Sequence, residues 1–577
     1  MARPAVPWAI GSPRPQNVGI LAIETYFPST FVPQEDLELF DGVAQGKYTV
    51  GLGQLGLSFC EDREDSGSMA MTALSRLLRR HGLSPRDIGH LQVGTESGLD
   101  ASKSLKTYLM PLLESGGGDV EGADCIQACY GGTAALLAAA AWVESSAWNG
   151  RLAVVLASDS AVYAPGRARA TSGAGACAIL VGPDAPLALE GPLRGSHFAN
   201  AYDFYKPSGL FPAVDGPLSL RCYLAGLDRC WERLGLKWMQ SRAVEAKGGI
   251  AAPSPEPISL IRDVHHVVFH APYHKLVRKA FARLVYLDAC SQACSGAWDG
   301  AAAPVTASAA DDAAFACTLP EGVDTPSSTP TAGRCGSSED PLLDGLSIRT
   351  DLGEAPRGGE AHEPPSAEAS SLPRENSACS SGRGEDPAAG FQGEEENPLL
   401  SFVRGEMHPA LEREAVARSG LLFDRMVRPS TDVQRLCGNM YTASVWSGLA
   451  QLLESEGEAL LHRRVLVFSY GSGAGSTLLS LVGREPTSER NALFFSLSAL
   501  RSQSDIGARL AQRVPRTPLA FVRALARQES VFRAAGWEAS EPPLADLAPG
   551  TFYLLRVDER FRRLYGQRRE VQGEGRA

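Results

Sequence analysis

Two stretches of this chain, far apart along it, share one layout. The first is QACYGGTAALLAAAAWVESSAWNGRLAVVLASDSAVY, from Gln127, and the second is LCGNMYTASVWSGLAQLLESEGEALLHRRVLVFSYGSGAG, from Leu436. Each has a polar turn, an apolar helix ending in Glu-Ser, a short polar gap, an arginine and a strand. The strands "LAVVLAS" and "VLVFSYG" are continuous apolar runs, which suits sheets covered on both faces. Later stretches, "GAGACAILVG" and "GSTLLSLVG", also correspond. This is a weak internal duplication, and it predicts two related α/β halves packed together. Polar residues at strand ends and helix starts of both halves then converge on one site. A chain of 577 residues is also too long for one ordinary core.

The duplication is interrupted. Between about Ser291 and Asn397 the chain turns rich in Ala, Gly, Ser, Pro and Glu, as in "TPSSTPTAGRCGSSEDP". Such a composition does not build a core, and it predicts a disordered insertion inside a folded unit. From Ala301 to Asn397 there are 18 acidic residues, 5 arginines and no lysine. The net charge of −11 therefore belongs to this segment, and the remainder carries 50 basic and 48 acidic residues. The overall acidity says nothing about a ligand. No basic patch with interleaved aromatics occurs, which argues against nucleic acid. No apolar run reaches the roughly 18 residues needed to span a bilayer. The first residues, MARPAVPWAIGSPRPQNVGI, lack the continuous apolar region of a secretory signal. The twelve cysteines are scattered without a CxxC pair, so reduced thiols and a cytoplasmic location are expected.

Cys129 stands just before Gly131 and Gly132 and the small apolar run that follows. A helix start stabilises an anion through its unpaired N–H groups and macrodipole, and a thiol there often titrates at roughly pH 3.5–7.5. The reading is an activated nucleophile before a helix that can be buried on all sides; the alternative is a structural cysteine, the role expected of Cys125. Glu96 follows the strand-like "LQV", where desolvation raises a carboxylate toward neutral pKa. The alternative is a solvated loop residue or helix cap. In "VHHVVFHAPYHKLVRKAF" strand alternation puts His266, Val268 and His270 on one side, and Pro272 ends the strand. His270 is then a strand-end ligand contact or a satisfied core histidine. Lys275 and Lys279 share a helical face, suited to phosphates or simply solvated. The turn "SYGSGAG" lacks the P-loop lysine and the GxGxxG spacing, and an oxyanion or thioester contact is an equal reading.

Taken together, "GKYTVGLGQ", "FCEDREDSGSMAM", "GTESGLDASKSLKTYLM", "ADCIQACYGGTAAL", "AYDFYKPSGLFPAVDGPLSLRCYLAGLDRC", "FHAPYHKLVRKAF", "GNMYTASVWSGLA", "FSYGSGAGSTL" and "GTFYLLRVDERFRRLYG" resemble the 3-hydroxy-3-methylglutaryl-CoA synthase family. The resemblance runs from Asn17 to about Gln567, apart from the insertion. It implies a thiolase-like fold, with two pseudo-symmetric halves in a five-layer αβαβα sandwich, usually as a homodimer. The implied boundaries are an extension over 1–16, a first half over 17–190, and a second half over 191–290 and 398–567. The insertion covers 291–397 and a tail covers 568–577.

The resemblance also implies a reaction and its residues. Acetyl-CoA acylates Cys129, Glu96 takes a proton from the acetyl methyl, and the carbanion attacks the ketone of acetoacetyl-CoA. Water then frees 3-hydroxy-3-methylglutaryl-CoA, a step toward mevalonate, isoprenoids and sterols. His270 holds and polarises the acetoacetyl group. Asp159, Asp203, Tyr163, His197, Phe204 and Asn439 support the site. Thr171, Ser219, Lys275, Lys279, Asn439, Gly471 and Ser472 contact substrate or CoA. Ala44, Gln45 and Arg167 fall at further CoA positions, where this chain departs from the family pattern. No metal or resident cofactor is implied, because the CoA thioesters are substrates. The rival condensing enzyme, ketoacyl synthase III, uses Cys with His and Asn; Glu96 and the "DFYKP" run favour the first family. A scaffold that has lost activity predicts loss of Glu96, Cys129 or His270, and all three are present.

Overall fold

A computed structural model describes residues 14–166, 168–207, 209–246, 256–295, 407–532 and 534–569. Arg167, nearly all of the expected insertion, and most of both expected terminal segments lie outside the described residues. Nine strands form the main sheet, labelled here in chain order: β1 (Gly19–Tyr26), β2 (Ile88–Gly94), β3 (Asp124–Cys125), β4 (Leu152–Ala161), β5 (Gly173–Gly182), β6 (Leu187–Phe198), β7 (His266–Phe269), β8 (Arg464–Gly471) and β9 (Gly475–Gly483). Their spatial order is β7-β8-β9-β6-β1-β5-β4-β2-β3.

The sheet is two half-sheets joined at a short seam. Only Gly19 and Ile20 of β1 pair with Ala188 and Leu187 of β6. On one side of the seam β1 pairs antiparallel with β5, β5 antiparallel with β4, and β4 parallel with β2. On the other side β6 pairs antiparallel with β9, β9 antiparallel with β8, and β8 parallel with β7. The pattern repeats, as the duplicated sequence predicts. It makes β2 the counterpart of β7. Glu96 follows the end of β2 and His270 follows the end of β7.

Five helices that matter for the site are α1 (Ser66–Arg80), α2 (Gly131–Glu144), α3 (Gly216–Ala246), α4 (His274–Ser295) and α5 (Ser444–Glu456). α1 covers the outer face of the first half-sheet, and α3, with α4 against it, covers the second. α5 packs on β1 and β5 of one half and on β7 and β8 of the other. α2 packs on β2 and β4, and its Thr133 hydroxyl donates to the Ser469 hydroxyl of β8 at 2.7 Å. The layers therefore run helix, sheet, helix, sheet, helix. Trp446 of α5 is 0 % exposed in the central layer; truncating such a side chain typically costs about 3–5 kcal/mol.

Two local readings differ from the sequence expectation. α2 is not buried on all sides: Ala138, Ala141 and Glu144 are exposed, because strands cover only part of its circumference. The helix α4 continues to Ser295, so the first residues of the 291–397 stretch are still helical.

Candidate active site

The turn before α2 is built for close approach. Ala128 holds a left-handed φ of +44°, and the Tyr130 N–H donates to the Gln127 carbonyl at 3.0 Å. Strain of this kind persists where surrounding structure imposes it. The imposing neighbours are glycines. A Cβ on Gly471, at the end of β8, would lie 2.3 Å from the Gln127 carbonyl oxygen and 2.5 Å from the Tyr130 nitrogen. A Cβ on Gly94 would lie 2.3 Å from the Gly132 nitrogen. Both half-sheets thus press their strand ends against the turn that carries Cys129, which is 8 % exposed.

Glu96 meets it there. The Cys129 thiol donates to Glu96 Oε1 at 3.3 Å. Asp159, 0 % exposed at the end of β4, accepts from the Glu96 N–H at 2.9 Å and from the Thr95 hydroxyl at 2.9 Å. Its other oxygen accepts from the Thr442 N–H at 3.0 Å and from the Thr442 hydroxyl. Lys206 Nζ lies 3.3 Å from Glu96 Oε2 and donates to the Glu96 carbonyl at 3.3 Å. Burial pushes the Glu96 carboxyl above its usual range, with Lys206 pulling the other way and Asp159 adding to the rise.

The thiol does not follow the sequence expectation. Burial, and then the Glu96 charge beside it, push Cys129 well above the usual thiol range. The helix start favours a thiolate, but a carboxylate in direct contact opposes it. The resting arrangement is a thiol hydrogen-bonded to a carboxylate. Cys125, half-buried, accepts from the Gln92 amide at 3.1 Å and lies outside this contact.

Aromatic rings wall the pair. Tyr163, Phe204 and Tyr441 stand edge to face, with centroids 5.9–6.3 Å apart, in one cluster with Cys129 and Ala161. Asn439, buried just before Tyr441, accepts from the Tyr441 N–H at 2.9 Å, and its own N–H donates to the Thr171 carbonyl at 3.2 Å. Asp203 accepts from the Tyr470 hydroxyl at 2.8 Å and from the Gly473 N–H at 2.7 Å, fixing the turn that contains Ser472. His270 is 1 % exposed, and its backbone N–H donates to the Phe468 carbonyl of β8 at 2.8 Å. Among the described residues its Nδ1 has no hydrogen-bond partner. Burial alone depresses its pKa to about 3, so the ring is neutral and one nitrogen is open to a ligand.

His197 lies on β6 opposite Ser476 of β9, and its pKa is lowered by burial and by Arg233 and Arg229. Ser219 is half-buried in the first turn of α3. Ala44 and Gln45 occupy an exposed turn, and the segment after it reaches α4, where the Lys275 N–H donates to the Leu52 carbonyl at 2.9 Å. Lys275 is exposed, whereas Lys279 is ion-paired with Glu412 at 2.6 Å. The face they share is thus not simply cationic. Sequence reasoning missed Lys206, Tyr441, Thr442 and Tyr470. Each acts through a contact far away in the chain, and none carries a periodic or spacing signal. Among the described residues no group of three His, Cys, Asp or Glu is placed to hold a metal. No described helix is long and apolar enough to cross a membrane.

Two family models cover this architecture. The hydroxymethylglutaryl-coenzyme A synthase N-terminal model matches residues 14–186, and the C-terminal model matches 187–315 and 400–568. This chain belongs to the hydroxymethylglutaryl-CoA synthase family. It is 37% identical to the mitochondrial hydroxymethylglutaryl-CoA synthase of Sus scrofa, over 98% of this chain and 92% of that protein. It is 37% identical to the cytoplasmic enzyme of Gallus gallus, over 97% of this chain and 89% of that protein. A solved structure of MvaS in complex with 3-hydroxy-3-methylglutaryl coenzyme A superposes with a TM-score of 0.65. It is 26% identical and covers 96% of this chain and 100% of its own. The thiolase-like fold of the family is the fold described above.

Proposed function

We propose that this chain condenses acetyl-CoA with acetoacetyl-CoA and water, giving 3-hydroxy-3-methylglutaryl-CoA and CoA, on the route to mevalonate, isoprenoids and sterols. The observation that carries the reading is the 3.3 Å contact between the Cys129 thiol and Glu96 at the start of a largely buried helix. In this reading the Cys129 sulfur attacks the acetyl carbonyl, CoA leaves with the thiol proton, and an acetyl thioester remains on Cys129. Glu96 takes a proton from its methyl group, and the carbon attacks the ketone of acetoacetyl-CoA. The same carboxyl returns the proton to the new alkoxide. Water then cleaves the Cys129 thioester, which releases the product with a free carboxylate and restores the thiol.

The other residues support these steps by position. The unpaired ring nitrogen of buried, neutral His270 suits a hydrogen bond to the acetoacetyl ketone. Asp159 fixes the Glu96 backbone, and Asn439 and the turn at Gly471 and Ser472 orient the acyl groups. Lys275, with the turn at Ala44 and Gln45, is suited to the CoA phosphates and adenine. The thioesters are substrates, so the reaction draws on no resident cofactor. We assign the working form as a homodimer. The cysteines whose side chains are described, Cys60 and Cys125 among them, are free thiols, which supports a reducing location, assigned here to the cytoplasm.

Incubation with labelled acetyl-CoA, followed by peptide mapping, tests the reading. The label is expected on Cys129, and Cys129→Ser should lose both acetylation and condensation. Label on Cys125 or Cys177 instead would overturn it.

A further inference from the structure

Lys206 reaches the site from an extended stretch beyond β6, and three contacts fix its ammonium. It pairs with Glu96 Oε2 at 3.3 Å, it donates to the Glu96 carbonyl at 3.3 Å, and it lies 4.7 Å from the Tyr441 ring centroid. The Phe204 ring adds a fourth, at 5.6 Å. Cation–π contacts of this geometry favour a cation and hold it in place. Among the described residues, Lys206 is the cation ion-paired with Glu96. The charge is not spread at the surface: the two side chains are 19% and 6% exposed.

We propose that Lys206 is the positioning residue for carbon–carbon bond formation: its ammonium, seated over the Tyr441 and Phe204 rings, orients the Glu96 carboxylate and keeps it ionised so that it takes the proton of the acetyl methyl. This rests on the reading of Glu96 as the base. The need for such a cation follows from the surroundings. Cys129, Asp159, Tyr163 and Tyr441 also lie close enough to Glu96 to interact with its charge, and none of them is a cation. Glu96 and Lys206 themselves line a cavity of about 150 Å³ whose other charged lining residues are Glu61, Asp62, Glu64, Asp65 and Arg563. Arg563 is engaged by Asp65 at 2.9 Å, Asp62 by Arg527 at 2.7 Å and Glu61 by Arg516 at 3.5 Å. Without Lys206, burial and neighbouring acids would both favour the protonated carboxyl, which takes no proton from carbon.

The test compares Lys206→Gln, Lys206→Met and Lys206→Arg with the native chain, reading labelled acetyl transfer to Cys129 and the pH profile of condensation. An opposite charge at this range moves a carboxylate by about 1–3 pH units. In both uncharged variants the acid limb is expected to move to higher pH. Condensation on that limb should fall on the order of tenfold or more. Acetyl transfer should persist, and Lys206→Arg should restore the limb. A role in folding alone would lower both activities together and leave the limb in place, and that result overturns the proposal. So does an unmoved limb in Lys206→Gln while Glu96→Ala fails to condense. If Glu96→Ala condenses normally, the base assignment itself is wrong.

Discussion

Asp159 accepts hydrogen bonds from the Thr442 N–H at 3.0 Å and from the Thr442 hydroxyl, although the two residues belong to opposite halves of the duplicated fold. Its other oxygen holds the Glu96 N–H and the Thr95 hydroxyl. One fully buried carboxylate thereby sets the distance between the halves at the point where Cys129 and Glu96 meet. Asp159→Asn keeps the shape but replaces one acceptor with a donor, so at least one buried donor loses its partner. Each such loss costs about 1–3 kcal/mol. The variant is expected to melt lower in a thermal scan. It should also condense roughly 100-fold more slowly, since small displacements of a reacting group carry large rate penalties. Native turnover in Asp159→Asn would show that the bridge does not position Glu96.

Glu96 raises the Cys129 thiol while it serves as its hydrogen-bond acceptor. Removing the carboxylate removes a negative neighbour, so the thiolate becomes easier to form and its titration moves to lower pH. Glu96→Ala is therefore expected to be acetylated by acetyl-CoA and to react with iodoacetamide at lower pH than the native chain. Its condensation should fall by roughly 10²–10⁴-fold, the usual share of a general acid–base group. Alkylation that needs a higher pH in Glu96→Ala would contradict this account.

His81 is 6 % exposed and packs on Phe495, with ring centroids 5.5 Å apart. Burial, with Arg80 beside it, lowers its pKa to about 4 from an ordinary 6.5. The folded chain holds this ring neutral while the unfolded chain protonates it, so its contribution is complete above pH 6.5 and is lost as pH falls toward 4. Buried carboxyls such as Glu64, pushed up to about 7 by burial, act in the opposite sense, so a difference measurement isolates the histidine. Denaturant midpoints of the native chain and His81→Gln should diverge below pH 6.5. The native chain should lose about 1.4 kcal/mol per pH unit relative to the variant, down to pH 4. A pH-independent difference would show that the ring is protonated in the fold.

Residues 316–399 fall between the two segments matched by the family's C-terminal model. Their sequence is acidic, poor in large apolar residues and free of every site residue. Loop closure cost grows only slowly with length, so replacing residues 316–395 by a short Gly/Ser bridge should leave folding and condensation intact. Screening by salt would remove any electrostatic gain in CoA affinity that the shorter chain shows at low ionic strength. A well-folded but inactive shortened chain would assign the segment a functional role.

The sequence by itself determined the repeated architecture. Apolar strand runs and small-residue helices have a fixed period, and their recurrence marks β4, β5, β8, β9, α2 and α5 in the sequence alone. Strand-end and helix-start positions made Glu96, Cys129 and His270 candidates beside structural alternatives, and the resemblance to the family is what singled them out. Tertiary structure alone decided what those groups experience. The thiol was expected to be lowered by its helix start, yet the nearest neighbour across the fold is a buried carboxylate, and a contact at 3.3 Å outweighs the more diffuse field of a helix end. Lys206, Tyr441 and Thr442 gain their places by packing between distant segments, and no local pattern records that. Propensity and periodicity are properties of neighbours in the chain; charge, desolvation and hydrogen bonding in this site are set by neighbours in space.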